Sequence, residues 1–90
     1  MWTVTVSRSV DKQFGKLPER VQKQLIALMR AIRIDGPVRG DWPNYGKLSA
    51  NEHHCHLKKG NPTYVAVWRE DKKTVTVEVI YAGTHENAPY

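Results

Sequence analysis

Cysteine is nearly absent from this sequence, and long hydrophobic runs are missing altogether. Cys55 is the single cysteine, so no disulfide can form within the chain. A lone thiol is typical of proteins in a reducing cytosol. The first residues lack the basic segment and apolar run of a signal peptide, and no stretch reaches the roughly 18 apolar residues that span a bilayer. We therefore expect a cytoplasmic protein with no membrane partner.

The chain also lacks linkers, low-complexity segments and internal repeats. Its 90 residues predict one domain over positions 1–90. Apolar residues make up 40% and charged residues 26%, which is typical of a folded domain rather than a disordered one. The 14 Lys and Arg residues against nine Asp and Glu give a formal net charge of +5. This balance favours a polyanionic partner such as nucleic acid, or an acidic protein.

Apolar and polar residues alternate near the start of the chain. This pattern over Trp2–Ser7 predicts a half-buried strand whose inner face carries Trp2, Val4 and Val6. Ser9 is a suitable N-cap for a short helix around Val10–Phe14, and Gly15 suits its end.

A longer helix is predicted between Pro18, which suits a first helical position, and the break at Gly36-Pro37. Its apolar stripe recurs at spacings of four, three and four residues and consists of Val21, Leu25, Leu28 and Ile32. Together with the short helix it forms a helical hairpin.

Three strands follow a loop over residues 39–46. They are predicted at His53–Lys58, Tyr64–Arg69 and Thr74–Tyr81, with turns at Gly60-Asn61-Pro62 and Asp71-Lys72. Turns this short join antiparallel neighbours, so the strands form a meander. The fold class is therefore α+β: an N-terminal strand, a helical hairpin and an antiparallel three-strand meander, with the helices packed on one face of a single sheet.

Strand parity sends titratable side chains to the sheet face without helices, which we call the open face. The third meander strand turns an apolar side to the helices, formed by Val75, Val77 and Val79. On the first meander strand, Cys55 and Leu57 belong to that covered side. His54, His56 and Lys58 then share the open face.

RNA cleavage without a metal needs residues of this kind. A base takes the proton of the ribose 2′-hydroxyl, an acid protonates the departing 5′-oxygen, and cations neutralise the charge that develops on phosphorus. Imidazole, with an ordinary pKa of about 6.5, serves as acid or base near neutral pH. His54 and His56 supply the imidazoles, and Lys58 and Lys59 supply the fixed charge.

Two other interpretations of this strand stay open. It is a polar strand edge without chemistry if Lys58 and Lys59 are ordinary charges beside a turn. A His-Cys-His run also attracts zinc or copper. Because Cys55 points away from His54 and His56, only two ligands share a face, and we expect no metal or other cofactor.

The tail from Gly83 to Tyr90 is the second candidate. A strand that leads through a glycine brings His85 to the edge of the sheet, where it approaches His54 and His56. Tyr90 then stacks on a base or hydrogen-bonds a phosphate. A frayed chain end with an exposed histidine is the alternative.

Four further residues extend the predicted RNA surface. Arg39 and Lys47 lie in the basic loop before the meander, where ordinary surface charge is the alternative. Tyr64 and Trp68 point to the same face of their strand, and Val65 and Val67 between them point to the other face. If those valines face the helices, both aromatic rings lie on the open face and suit single-stranded RNA or a protein surface. A core position is the alternative for Trp68.

These motifs together resemble the RelE/ParE toxin superfamily over nearly the whole chain. The tail Gly83-Thr84-His85-Glu86, closing in Tyr90, is similar to the Gly-Thr-His tail of YafQ-like toxins. His56 resembles the histidine on their second sheet strand, and Tyr64–Trp68 matches the strand that follows it. RelE itself uses arginines where this chain has histidines.

The resemblance implies a toxin of a type II toxin–antitoxin system, an endoribonuclease that enters the ribosomal A site and cuts messenger RNA there. The 2′-hydroxyl attacks the adjacent phosphate and leaves a 2′,3′-cyclic end, and an antitoxin protein blocks the basic face. By match, His85 is the candidate acid and His56 or His54 the candidate base. The phosphate and the nucleotide would be held by Lys47, Lys58, Lys59 and Tyr90. The alternatives are a ParE-like gyrase inhibitor and a non-catalytic RNA-binding module of the same fold.

Overall fold

Two helices cover one face of a five-stranded sheet in the computed structural model, which describes residues 1–90. The elements are β1 (Thr3–Val6), α1 (Arg8–Phe14), α2 (Glu19–Asp35), β2 (Gly46–Lys47), β3 (Glu52–Lys58), β4 (Tyr64–Asp71), β5 (Thr76–Thr84) and a 3-10 turn (His85–Asn87). The predicted α+β fold, with helices on one face of a single sheet, is confirmed. The short strand β2 was not predicted.

The sheet order is β1-β5-β4-β3-β2. Strands β3, β4 and β5 form the predicted antiparallel meander, whereas β1 lies parallel to β5 at the far edge. At the other edge, β2 pairs only with His53 and His54. The rest of that edge has no strand partner, and the backbone N–H of His56 donates to the carbonyl of Pro43 in the preceding loop, at 2.8 Å.

The helix ends follow local capping chemistry. The hydroxyl of Ser7 accepts a hydrogen bond from the backbone N–H of Val10 at 3.1 Å and caps α1. The predicted cap, Ser9, lies inside the helix, so that assignment is wrong by two residues. Pro18 precedes α2 by one residue, and Gly36 ends it as predicted. Neither helix has the length and apolarity that a bilayer span requires.

The core lies between the helices and the covered face of the sheet. The predicted stripe of α2 is fully buried, which confirms it. On the sheet side the stripe meets Cys55, Leu57, Trp68, Val77 and Val79. The prediction that Val75 also faces the helices is wrong. It lies in the β4–β5 turn with φ of 53° and an exposed side chain, because β5 begins only after it.

Trp68 and Tyr64 lie on the helix side, so their predicted place on the open face is wrong. Trp68 is 0% exposed, and its indole N–H donates to the carbonyl of Pro37 at 2.9 Å. Tyr64 packs against the same core. The reason is register: Ala66 pairs with Cys55, and directly paired residues share a face. Ala66 and its neighbours at spacing two therefore join Cys55 beneath the helices.

A buried polar network also lies on the helix side, and the sequence patterns did not predict it. The Nε2 atom of His53 is 2.7 Å from Oε1 of Glu70, and its Nδ1 atom is 2.7 Å from the hydroxyl of Tyr45. The imidazole stacks on Trp68 at 5.7 Å between ring centroids. Buried polar groups are stable when they are paired in this way. The network attaches the loop before β2 to β3 and β4.

Replacing one residue of the buried stripe will test this core. We expect Leu25→Ala to lower the free energy of unfolding by about 2–5 kcal/mol, because it leaves a cavity under the sheet. Urea unfolding measures the change. The neighbouring Ile26 is 56% exposed, so Ile26→Ala is the matched control, with an expected change within about 0.5 kcal/mol. Equal losses in the two variants would contradict the assigned core face.

Candidate active site on the open face

The C-terminal tail packs back across the open face instead of fraying. After β5, the 3-10 turn carries the chain over the sheet, and the ring of Tyr90 lies 4.7 Å from that of His54. Val65 and Val67 point to this side, yet they are only 0% and 1% exposed. The rings gathered over them account for this burial.

The structure brings together the four residues predicted to carry chemistry. His56 and His85 lie 5.9 Å apart between ring centroids and meet edge to face. His85 and Tyr90 lie 5.8 Å apart, again edge to face, and Tyr90 contacts His54. A continuous series of rings, His56–His85–Tyr90–His54, therefore crosses the open face. We call it the ring series.

The local backbone explains where each half of the ring series lies. On β3, exposure alternates residue by residue, so His54 and His56 point outward while His53, Cys55 and Leu57 are buried. Gly46 of the neighbouring strand makes room for His54, since a Cβ atom there would lie 3.0 Å from its Nε2 atom.

The tail half is fixed by two hydrogen bonds at the end of β5. The backbone N–H of His85 donates to the carbonyl of Thr63 at 2.8 Å, and the hydroxyl of Tyr81 donates to the carbonyl of Thr84 at 2.7 Å. The Tyr81 ring lies over Gly83, where a Cβ atom would be 2.8 Å from its hydroxyl oxygen. Only a glycine fits beneath that ring.

Tyr81 was not predicted as part of the site, because strict alternation would place it on the covered side with Val79. The structure has an irregularity in the β4–β5 pairing: Trp68 pairs with Val79, whereas Val67 pairs with Tyr81. The extra residue, Ile80, reverses the parity of the strand beyond it. Tyr81 therefore joins Val67 on the open face.

Desolvation keeps the two β3 imidazoles neutral. Burial lowers the pKa of His54, and the nearby His56 and His85 lower it further. Burial also lowers the pKa of His56, with smaller contributions from His85 and Lys59. The buried Nδ1 atoms of both rings have no hydrogen-bond partner. Near neutral pH these rings are uncharged and able to accept a proton.

Tyr90 keeps its proton at neutral pH, whereas the two imidazoles stay unprotonated. Burial raises the pKa of its hydroxyl, followed by contributions from Cys55 and Tyr81. The phenol therefore keeps its proton at neutral pH and is a hydrogen-bond donor beside two imidazoles.

Cations line one margin of the ring series. Lys58 and Lys59, at the end of β3, border a cleft of about 800 Å³ whose opposite wall is the start of α2. Arg20 and Lys23 project from that wall, and His56 lines the cleft as well. Glu19 is the single carboxylate of the lining and lies 3.2 Å from the ammonium of Lys23, so the cleft keeps an excess of positive charge. We call this the cationic cleft.

The predicted place of Lys58 on the open face is wrong: the pairing shifts after His56, and Lys58 pairs with Tyr64, which lies on the helix side. The two helix cations were not predicted, because helical periodicity marks them only as solvent-facing and does not say which strand lies opposite.

Arg39 and Lys47 do not join this surface. The guanidinium of Arg39 is only 13% exposed and lies 3.3 Å from Asp41 and 3.8 Å from Asp35. Lys47 pairs directly with His53, and paired residues share a face, so its side chain leaves the sheet on the side opposite the ring series. The prediction that Arg39 and Lys47 extend the RNA surface beside the ring series is therefore wrong.

The metal interpretation finds no suitable set of ligands. No group of three or more His, Cys, Asp or Glu side chains is placed to hold a metal ion. Cys55 is buried on the covered side, where desolvation raises the pKa of its thiol to about 12. Its thiol stays protonated and out of reach of the outward-facing His54 and His56.

Comparison with known proteins finds similarity in structure only. No family model and no curated protein matches the sequence. The isolated Escherichia coli RelE toxin matches with a TM-score of 0.71 at 19% identity, over 99% of this chain and 89% of that one. RelE in an archaeal RelE–RelB complex from Pyrococcus horikoshii matches with 0.70 at 11%, over 97% and 98%. A metal-bound toxin from Helicobacter pylori matches with 0.71 at 19%, over 96% and 97%. The chain therefore has a RelE-like fold.

The lowered pKa values of His54 and His56 predict a pH-dependent stability. Unfolded imidazole binds its proton near about pH 6.5, whereas these folded rings bind theirs only at lower pH. The unfolded state then holds more protons in that interval, so stability is complete above about pH 6.5 and falls as the pH is lowered below it.

Urea unfolding between about pH 7.5 and about pH 5 measures this effect. The double variant His54→Gln/His56→Gln is the control and should flatten the dependence. NMR titration of the ring protons gives an independent reading. Midpoints above those of unstructured histidine would contradict the effect of burial.

Proposed function

We propose that this chain, with its RelE-like fold, is the toxin of a toxin–antitoxin pair and a metal-independent endoribonuclease that cuts messenger RNA. The observation that carries the proposal is the ring series, in which two imidazoles from β3 and one from the tail meet beside the cationic cleft. A purely structural sheet face has no need of three converging imidazoles. Gyrase inhibition does not need them either.

The proposed chemistry combines the neutral state of His56 with the position of His85 beside it. Neutral His56 takes the proton of the ribose 2′-hydroxyl, whose oxygen attacks the adjacent phosphorus. The bond from phosphorus to the 5′-oxygen breaks, and His85 delivers a proton to that oxygen. The products are a 2′,3′-cyclic phosphate and a free 5′-hydroxyl. His56 and His85 are 5.9 Å apart between centroids, close enough for both imidazoles to contact the same phosphodiester from one side.

The remaining residues bind and orient the RNA. Lys58 and Lys59 stabilise the charge that develops on the phosphate oxygens. The protonated Tyr90 hydroxyl orients the scissile nucleotide, and its half-exposed ring offers a face on which a base stacks. Arg20 and Lys23 extend the positive surface onto α2, so that an RNA strand leaving His56 enters the cationic cleft.

The proposed target comes from the resemblance to the RelE/ParE superfamily, and the proposed protein partner is supported by one similar structure. We propose that the RNA is messenger RNA bound in the ribosomal A site. One similar structure is a complex of RelE with RelB, so the proposed protein partner is an antitoxin that covers the cationic open face. The formal net charge of +5 suits both partners.

His85→Ala tests the catalytic assignment. Loss of a general acid should slow RNA cleavage by roughly 10²–10⁴-fold while ribosome binding stays nearly intact. Primer extension on messenger RNA, in excess chelator, measures cleavage, and co-sedimentation measures binding. Asn87→Ala, in the same turn of the tail, is the matched control and should cleave like wild type. Full cleavage by His85→Ala would contradict the role, and gyrase inhibition without RNA cleavage would favour the ParE-like alternative.

The cationic cleft predicts a specific salt dependence. Each phosphate-binding cation that a variant removes should lower the slope of log affinity against log salt by roughly 0.7 for single-stranded RNA. We expect Lys58→Ala/Lys59→Ala to flatten the slope, and addition of Arg20→Ala to flatten it further.

The matched control for this measurement is Lys72→Ala/Lys73→Ala. It removes the same charge from the β4–β5 turn at the other end of the sheet. Fluorescence anisotropy with a labelled oligonucleotide measures all variants. An equal effect of the two lysine pairs would mean that only the net charge matters and that the cleft does not bind RNA.

A further inference from the structure

A second recess lies on the other side of His56. It is a small pocket of about 290 Å³ between the β3–β4 turn and the tail, and we call it the turn pocket. His56 and His85 form one wall, the turn over residues 60–63 forms another, and the exposed Glu86 lies at its rim. His56 therefore separates two recesses of different chemistry, because the cationic cleft begins on its opposite side.

The turn pocket is built before any ligand arrives. The hydroxyl of Thr63 donates to the carbonyl of Gly60 at 2.9 Å and accepts from its backbone N–H at 3.3 Å. The carbonyl of Thr63 accepts the backbone N–H of His85 at 2.8 Å. These bonds join the turn to the tail, so little conformational freedom is lost when the pocket fills.

Glu86 brings a negative charge to the turn pocket, beside the imidazoles proposed to contact phosphate. Its carboxylate makes no ion pair and no side-chain hydrogen bond, although it lines a pocket formed with two imidazoles. A carboxylate repels phosphate and accepts hydrogen bonds only from N–H or O–H groups. RNA offers such donors on the ribose 2′-hydroxyl and on the edges of its bases, and only the base donors differ from one nucleotide to the next.

We propose that the turn pocket binds the nucleobase beside the scissile phosphate and that Glu86 selects guanine there. The proposal rests on the proposed function, since it places RNA across His56 and His85. With the phosphate against both rings and the chain continuing into the cationic cleft on one side, the neighbouring base on the other side reaches the turn pocket.

The preference for guanine follows from the donors on each base. Guanine carries two adjacent donors, N1–H and the N2 amino group, that match the two oxygens of one carboxylate. Adenine and cytosine offer one amino group next to a ring acceptor, which opposes the second oxygen. Uracil offers one N–H between two carbonyl oxygens. The carboxylate of Glu86 therefore ranks guanine first and uracil last.

Binding of RNA that cannot be cut tests the selection separately from catalysis. The probes are short fluorescent 2′-O-methyl oligouridylates with one central guanine, adenine or cytosine, and the all-uridine strand. Because the 2′-oxygen is blocked, no cleavage occurs. We expect the guanine probe to bind the purified chain roughly 10- to 100-fold more tightly than the all-uridine strand, the range of a two-bond contact.

Glu86→Gln gives the sharper result. A carboxamide has one donor and one acceptor, and each of the four bases carries a matching adjacent pair on its Watson–Crick edge, so the preference for guanine should be lost. Glu78→Gln is the matched control: it removes the same charge from an exposed residue of β5 whose register partner, Arg69, lies on the open face. The control should raise the affinity for all probes equally and keep guanine first.

The outcomes separate this inference from the nuclease proposal. Equal binding of all four probes by the wild-type chain, or an unchanged order in Glu86→Gln, would overturn the selection by Glu86 even if RNA cleavage is found. Guanine selection that is lost in Glu86→Gln and kept in Glu78→Gln supports the inference. If the wild-type chain then cuts no RNA that has free 2′-hydroxyls, the nuclease proposal fails and the base pocket stands.

Discussion

The site depends on one constraint, the register of β3. His53, Cys55 and Leu57 are buried beneath α2, and the Tyr45–His53–Glu70 hydrogen bonds hold this face in position. Because side chains alternate strictly along a strand, a slip by one residue would expose this buried set and bury the two outward-facing histidines. The energetic cost of that slip is what keeps the imidazoles on the open face. The positions of His54 and His56 are thus a by-product of core packing on the opposite side of the same strand.

The tail supplies the other half of the site, and few contacts are needed to hold it there. Two hydrogen bonds, one from the Tyr81 hydroxyl and one from the His85 backbone, attach the tail to the end of the sheet. Tyr90 then packs on His54 and helps to cover the buried side chains of Val65 and Val67. This packing removes water from the imidazoles and lowers their pKa. The same contact therefore closes the core of the open face and prepares its rings to accept protons.

His56 lies where two recesses meet. On one side Lys58, Lys59, Arg20 and Lys23 outnumber the carboxylate of Glu19, which suits a phosphate backbone, and on the other side the carboxylate of Glu86 suits the edge of a base. Under the proposed function, this difference in charge gives an RNA strand a direction, since only one orientation places its backbone and its base correctly. The cations would then supply most of the affinity, and the carboxylate of Glu86 the selectivity.

The sequence by itself determined the features that depend on local periodicity. The stripe of α2, the outward parity of His54 and His56, and the order of helices and strands could all be predicted, because helix and strand repeats are properties of adjacent residues. The α+β class follows from the same patterns. The tail motif also pointed to His85 and Tyr90 through its likeness to a known family.

Only the tertiary structure decided what depends on pairing between distant segments. The register of β3 with β4 turned Tyr64 and Trp68 toward the helices, and one extra residue at Ile80 brought Tyr81 to the site. Arg20 and Lys23 became part of a cleft because α2 lies beside an unpaired strand edge. Strand registers, irregularities in pairing and facing surfaces are set by long-range packing, which no local repeat in the sequence encodes.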